Sequence, residues 1–322
     1  MTSTAPTRRA FWVGVACAVG VLAIWTSFIL IARFSAQRTL GPFDIAFVRY
    51  VFSGLVVLPI VMWRWRWWLA QLAADPRVAL QRAAVLAALA GIGYCSLAYS
   101  GFFYAPVSHA AVLLPGSLPL YTALAAVLLL GERLSRMRLL GLATIVAGDL
   151  LVGGSSLLQA FDGGQTWKGD LLFMGATITW ALYSVLCRRW QLGAVPATFA
   201  VALGCLVSFV PLFALGAATG LLPTRLPAAP WSEIAWQAVY QGGLSMLVAG
   251  IAFTQVVKTF GPVRTTMITA LVPVLAALSA VPLLGEPLTT VTLLGLVCVT
   301  LGLLVGLRAA TLPRTAVSGK AA

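Results

Sequence analysis

The chain has 322 residues, of which 61% are hydrophobic and 9% charged, with a formal net charge of +13. A soluble domain carries roughly 25% charged residues, so a water-filled exterior is excluded and a polytopic membrane protein is indicated. The excess of Arg and Lys falls in short bursts between apolar runs, which is the pattern of topology determinants and not of a nucleic-acid surface.

The apolar runs are helix-length, about 20 residues, and helices satisfy their own backbone in lipid, so the expectation is an all-α integral membrane protein and not a barrel. Ten transmembrane helices are expected at 11–32, 44–63, 83–104, 107–130, 139–158, 169–187, 196–217, 233–257, 262–284 and 289–307. The first run follows Arg8 and Arg9 as a signal peptide would, but it is longer than a 7–15-residue signal core and reads as an uncleaved span. Trp63 to Trp68 (WRWRWW) alternates tryptophan with arginine at the end of the second span, the composition of an interfacial anchor. The stretch 64–82 is therefore expected along the membrane surface. Pro223, Pro227 and Pro230 mark an outer loop, and 309–322 reads as a polar tail.

One stretch occurs twice: Pro119 to Glu132 (PLYTALAAVLLLGE) and Pro273 to Glu286 (PVLAALSAVPLLGE), each with a proline thirteen positions before the glutamate. The echo extends to Gly141 and Gly148, matched by Gly295 and Gly302 at the same offset of 154. It continues more faintly upstream, where Gly20, Trp25 and Arg33 find Gly175, Trp180 and Arg188 at 155. This is a duplication. Residues 1–158 form one five-helix repeat and 169–308 the other; five is odd, so the second repeat is inverted relative to the first. Sixteen Lys and Arg lie on the side of the termini against four opposite, Arg33, Arg38, Lys168 and Arg225, which predicts cytoplasmic termini in the inner (plasma) membrane.

These residues resemble the drug/metabolite transporter superfamily, in particular its EamA-type ten-span members. The resemblance rests on a Trp in the first span, the Arg of Phe47 to Tyr50 (FVRY), Ala105-Pro106-Val107-Ser108 opening the fourth span, Gly169-Asp170 before the sixth, and the two modules ending Gly131-Glu132 and Gly285-Glu286. It implies a secondary carrier that exports or exchanges small metabolites, amino acids among them, through a central cavity between the repeats.

Asp149 lies about 15 Å from either surface at 1.5 Å per residue, too deep to snorkel, and is either a coupling or amine-binding site or a neutral carboxyl packed between helices. Arg49 lies about 7.5 Å inside its span. It reads as a structural ion pair with Asp44 or a helix end, as a ligand for a substrate carboxylate, or as a snorkelling cation. His109 is the only histidine; one residue cannot make a metal site, so a hydrogen-bonded gate or a pH-responsive group is expected. Trp25 and Trp180 at equivalent depths are core residues or symmetric cavity walls, with Tyr99, Tyr183 and Gln241 adding hydrogen-bonding capacity. Pro119 and Pro273 free the carbonyls of Pro115 and Thr269 and are candidate hinges.

Cys17, Cys95, Cys187, Cys205 and Cys298 lack metal or redox spacing and read as packing residues. There is no Walker motif to bind ATP, no cofactor signature and no catalytic motif. The expected partners are a small-molecule solute and the lipid bilayer. The competing reading, a membrane-embedded enzyme acting on a lipid or isoprenoid, needs reactive residues clustered at one interface, where only Arg49 and His109 are available.

Overall fold

The structure is a computed structural model and describes residues 8–311. The described residues are mainly helical, without a strand, and ten helices are long and apolar enough to cross a membrane. They run Arg8–Ala36, Pro42–Trp63, Pro76–Gly101, Val107–Leu130, Arg136–Ala160, Thr166–Arg189, Ala194–Ala218, Trp231–Gly261, Arg264–Leu284 and Thr290–Leu307. Their outer surfaces carry exposed large apolar side chains such as Leu128, Leu150, Leu158 and Val207, which water would not tolerate in such number and lipid does. The last helix continues to Thr311, and residues 312–322 of the expected tail lie outside the described part.

Two expectations shift. The surface segment expected over 64–82 is only the short helix Trp65–Leu72. The third span already starts at Pro76, because the Asp75 carboxylate accepts from the backbone N–H of Arg77 at 2.7 Å and Pro76 occupies the first helical position, a favourable helix start.

The duplicated Leu-Gly-Glu has one structural role in both copies. Gly131 and Gly285 end their helices with φ of 67° and 66°, the left-handed region that favours glycine. The following N–H, of Glu132 or Glu286, turns back to the carbonyl of Ala126 or Ala280 at 3.4 Å. Each glutamate is thereby thrown sideways from a sharply stopped helix. At the other end of each module the proline is the second residue of a new helical segment, Leu118–Leu130 or Val272–Leu284, so the regular hydrogen-bonding of the fourth and ninth spans is interrupted just before it while the backbone of Ser117 and Leu271 stays in the right-handed helical region.

Packing partners occur in exchange-related sets. Spans 1 and 8 pack as do 6 and 3; 1 and 9 as do 6 and 4; 2 and 8 as do 7 and 3. Spans 2 and 7, 4 and 9, and 5 and 10 pack on their own counterparts. This is what a two-fold axis relating the halves produces, and with five spans per half it lies in the membrane plane. At the 5/10 contact the echoed glycines meet crosswise. A Cβ on Gly141 would lie 2.7 Å from the carbonyl oxygen of Gly302, and one on Gly148 would lie 2.7 Å from that of Gly295. Only glycine permits such an approach of backbones, the usual route to close helix packing in lipid.

Candidate functional site: a central cavity closed at one face

Call the face where the first span starts and the tenth ends the terminal face, and its opposite the far face. A cavity of about 800 Å³ lies between the two repeats, and every one of the ten spans contributes to its wall. The lining reaches the terminal face at Arg138, Leu192, Ala194 and Leu307 and stops inside the bundle at Phe28, Arg49, Leu114 and Thr177. No residue of the far-face loops lines it. The cavity is therefore a vestibule entered from the terminal face with its floor part-way through.

Three spans widen into π-helical turns, over Ala87–Gly93, Val112–Gly116 and Ala238–Val248. Each supplies lining residues: Ala90, then Leu114 and Pro115, then Ser245 and Met246. Such turns displace the regular hydrogen-bond ladder and recur at functional sites. In the fourth span the displaced Leu113 carbonyl is taken up by the Thr177 hydroxyl at 2.7 Å. Nothing in the local sequence announces these turns apart from the glycines within them.

The walls are mostly aromatic and apolar. Trp25 is stacked on Phe253 with ring centroids 5.2 Å apart, and Trp180 lies between Tyr94 and Tyr183 at 4.8 and 5.1 Å. Trp25, Trp180 and Tyr183 all line the cavity, as do Pro119 and the two residues whose carbonyls the prolines free, Pro115 and Thr269. Pro273 itself is buried behind the wall. Tyr94, Phe253 and Thr177 were not singled out from sequence; an aromatic on an all-apolar helix carries no mark of which way it faces.

Arg49 lines the floor and is buried. In place of the expected pair with Asp44, its Nη1 donates to the Tyr99 hydroxyl at 3.2 Å and to Gln241 Oε1 at 3.4 Å, while the Tyr99 hydroxyl donates to the same oxygen at 3.0 Å. Phe28 lies under the guanidinium at 6.0 Å from its ring centre. Tyr99 and Gln241 are fully covered and stand behind Arg49 instead of lining the cavity. Asp44 is engaged elsewhere: it accepts from the N–H groups of Gly41 and Arg225 and from the Thr224 hydroxyl at 2.7 Å, binding the start of span 2 to the far-face loop.

Beyond the floor the far face is sealed. Arg33 Nε donates to Glu286 Oε1 at 2.6 Å, Arg33 Nη1 donates to the Phe102 carbonyl at 2.5 Å, and Glu286 Oε2 accepts from the Val107 N–H at 2.7 Å. One ion pair thus joins spans 1 and 9 to the end of span 3 and the start of span 4. His109 Nδ1 lies 2.9 Å from Asp170 Oδ1, and the Ser156 hydroxyl donates to the other oxygen of Asp170. His109 is part of this seal and away from the cavity wall. Asp149 is also outside the lining; its Oδ1 accepts from the Ser117 hydroxyl at 2.7 Å, at the break of span 4.

The terminal face carries the two-fold counterpart of the main seal. Arg188 donates to Glu132 at 2.8 Å, with Arg138 3.8 Å away, but these side chains are a third or more exposed, whereas those of Arg33 and Glu286 are 19% and 11% exposed. The two matched ion pairs differ as an open end differs from a closed one.

The model of the EamA-like transporter family matches residues 12–154 and again 167–308. The chain belongs to the EamA-like transporter family. This EamA-like protein is also 28% identical over 224 residues to a Bacillus subtilis (strain 168) protein named the uncharacterized transporter YyaM, covering 68% of this chain and 70% of that one. A solved crystal structure at 19% identity superposes with a TM-score of 0.53 over 92% of this chain and 97% of its own, which supports the fold alone. The EamA-like chain is a multi-pass membrane transporter with the two-repeat architecture of its family.

Proposed function

We propose that the protein is a secondary carrier exporting or exchanging small organic metabolites by alternating access between its two inverted repeats. It sits in the inner (plasma) membrane with both termini in the cytoplasm, as the bias of sixteen cationic residues against four argues. The observation that carries the reading is the vestibule: ten spans wall one cavity, open at the terminal face and sealed beyond its floor by the Arg33–Glu286 knot. In the opposite state the exposed Arg188–Glu132 pair takes the part that Arg33–Glu286 plays here, and the breaks at Pro119 and Pro273 absorb the change in helix direction. A symmetric fold has two such states of comparable energy, and a solute bound at the floor is exposed to each side in turn.

Purified protein in liposomes, preloaded with one unlabelled solute at a time, should drive saturable accumulation of the same labelled solute. A broad panel of amino acids, organic acids, sugars and amphipathic drugs that yields no counterflow above empty liposomes rules the carrier reading out.

A further inference from the structure

Resting on the carrier reading, we propose that the floor of the cavity is an anion subsite and that the transported solute is an organic carboxylate with an apolar, preferably aromatic, body, its carboxylate bound by Arg49. The guanidinium is always charged and sits at 7% exposure within a membrane span. Among the described residues no carboxylate pairs with it. Its hydrogen bonds run through Nη1 alone, to neutral oxygens of Tyr99 and Gln241, and its Nε has no partner. A cation at the cavity floor with no anion beside it is an arrangement completed by an acceptor that enters from the cavity, and a carboxylate matches the planar fork of arginine.

The rest of the wall selects what that carboxylate is attached to. Among the described residues the charged ones lining the cavity are Arg49 at the floor and Arg138 at the mouth, and no Asp or Glu lines it. At the floor an ammonium group would meet the Arg49 charge and no lining carboxylate, since Asp149 is held behind the wall by Ser117 and Asp170 is held by His109 and Ser156. Between the two arginines the solute meets Trp25, Phe253, Tyr94, Trp180 and Tyr183, a cage for a ring or branched chain. Arg138 at the entrance favours approach of anions from the terminal face.

The test uses three molecules of one shape: 3-phenylpropionate, 3-phenylpropanamide and 3-phenylpropylamine. Each is titrated against the intact protein in nanodiscs, following quenching of tryptophan fluorescence, and each is assayed by counterflow in liposomes. The expected result is saturable binding of the carboxylate at least tenfold tighter than of the amide and of the amine. Arg49→Gln should lower carboxylate affinity by tenfold or more without changing that of the amide, and Arg49→Lys should fall between. Should the Arg49 variants not fold, the ranking in the unaltered protein decides by itself. Amide or amine binding as tight as the carboxylate, or no saturable carboxylate binding, overturns the proposal. Counterflow of neutral or cationic solutes alone sinks the anion subsite and leaves the carrier standing; tight carboxylate binding without counterflow of any solute does the reverse.

Discussion

Glu286 holds Arg33 at 2.6 Å at the far face, and the residues that correspond to them in the other repeat, Glu132 and Arg188, hold each other at 2.8 Å at the terminal face. Glu286 also bonds the first N–H of span 4, so loss of its charge weakens two contacts at once. Glu286→Gln should shift the protein toward the state open at the far face by about 2 kcal/mol, roughly 30-fold in population. In a cysteine-free background, a cysteine placed at Ala110, which is fully buried in the sealed end, should then react faster with an impermeant maleimide from the far side. Equal rates in the two proteins would mean that the ion pair does not hold the seal.

The exposed counterpart should behave differently. A solvent-exposed ion pair is worth about 0.2–1 kcal/mol, so Glu132→Gln should leave thermal stability nearly unchanged. Counterflow should nevertheless slow several-fold, because the state closed at the terminal face would lack its knot. Melting temperature and counterflow rate measured on the same preparation separate the two effects.

Gly148→Ala should destabilise by about 1–3 kcal/mol, since the added methyl would lie 2.7 Å from the Gly295 carbonyl and two backbones would have to move apart. Gly153→Ala, on the same helix with nothing within 4 Å, should be neutral or slightly stabilising. Thermal melts in detergent compare them directly, and equal shifts would show that the glycine seam is not a tight contact.

Asp149→Asn should preserve both folding and the pH dependence of counterflow, because an amide oxygen still accepts from Ser117 and the side chain lies outside the cavity wall. A flattened pH profile in this variant would instead make Asp149 the coupling carboxyl.

What could be read from the residues follows from what acts locally. The duplication is written in the shared offset and the helix stops in Gly131 and Gly285, so ten spans and two repeats were legible, whereas the third span starts at Pro76, seven residues before the expected 83. The partners of the polar residues were not legible. The sequence offers Arg49 a pair with Asp44 or a helix end, yet Asp44 caps the helix start and Arg49 reaches across to Tyr99 and Gln241. His109 has no carboxylate on its own helix and takes Asp170 from a helix 61 positions later. Helices apolar on all sides carry no stripe that fixes their rotation, so which side chains converge is settled only by packing between them. The same reason hid the inward-facing Tyr94 and Phe253 while Trp25 and Trp180 stood out through their repetition.

The crosswise meeting of Gly141 with Gly302 and Gly148 with Gly295 means that each half carries a surface moulded to its own copy. The turn over residues 161–165 that joins the halves adds little to that fit beyond keeping them near one another. Cut at this turn and produced as two separate polypeptides, the halves should still recognise each other and assemble into a working whole.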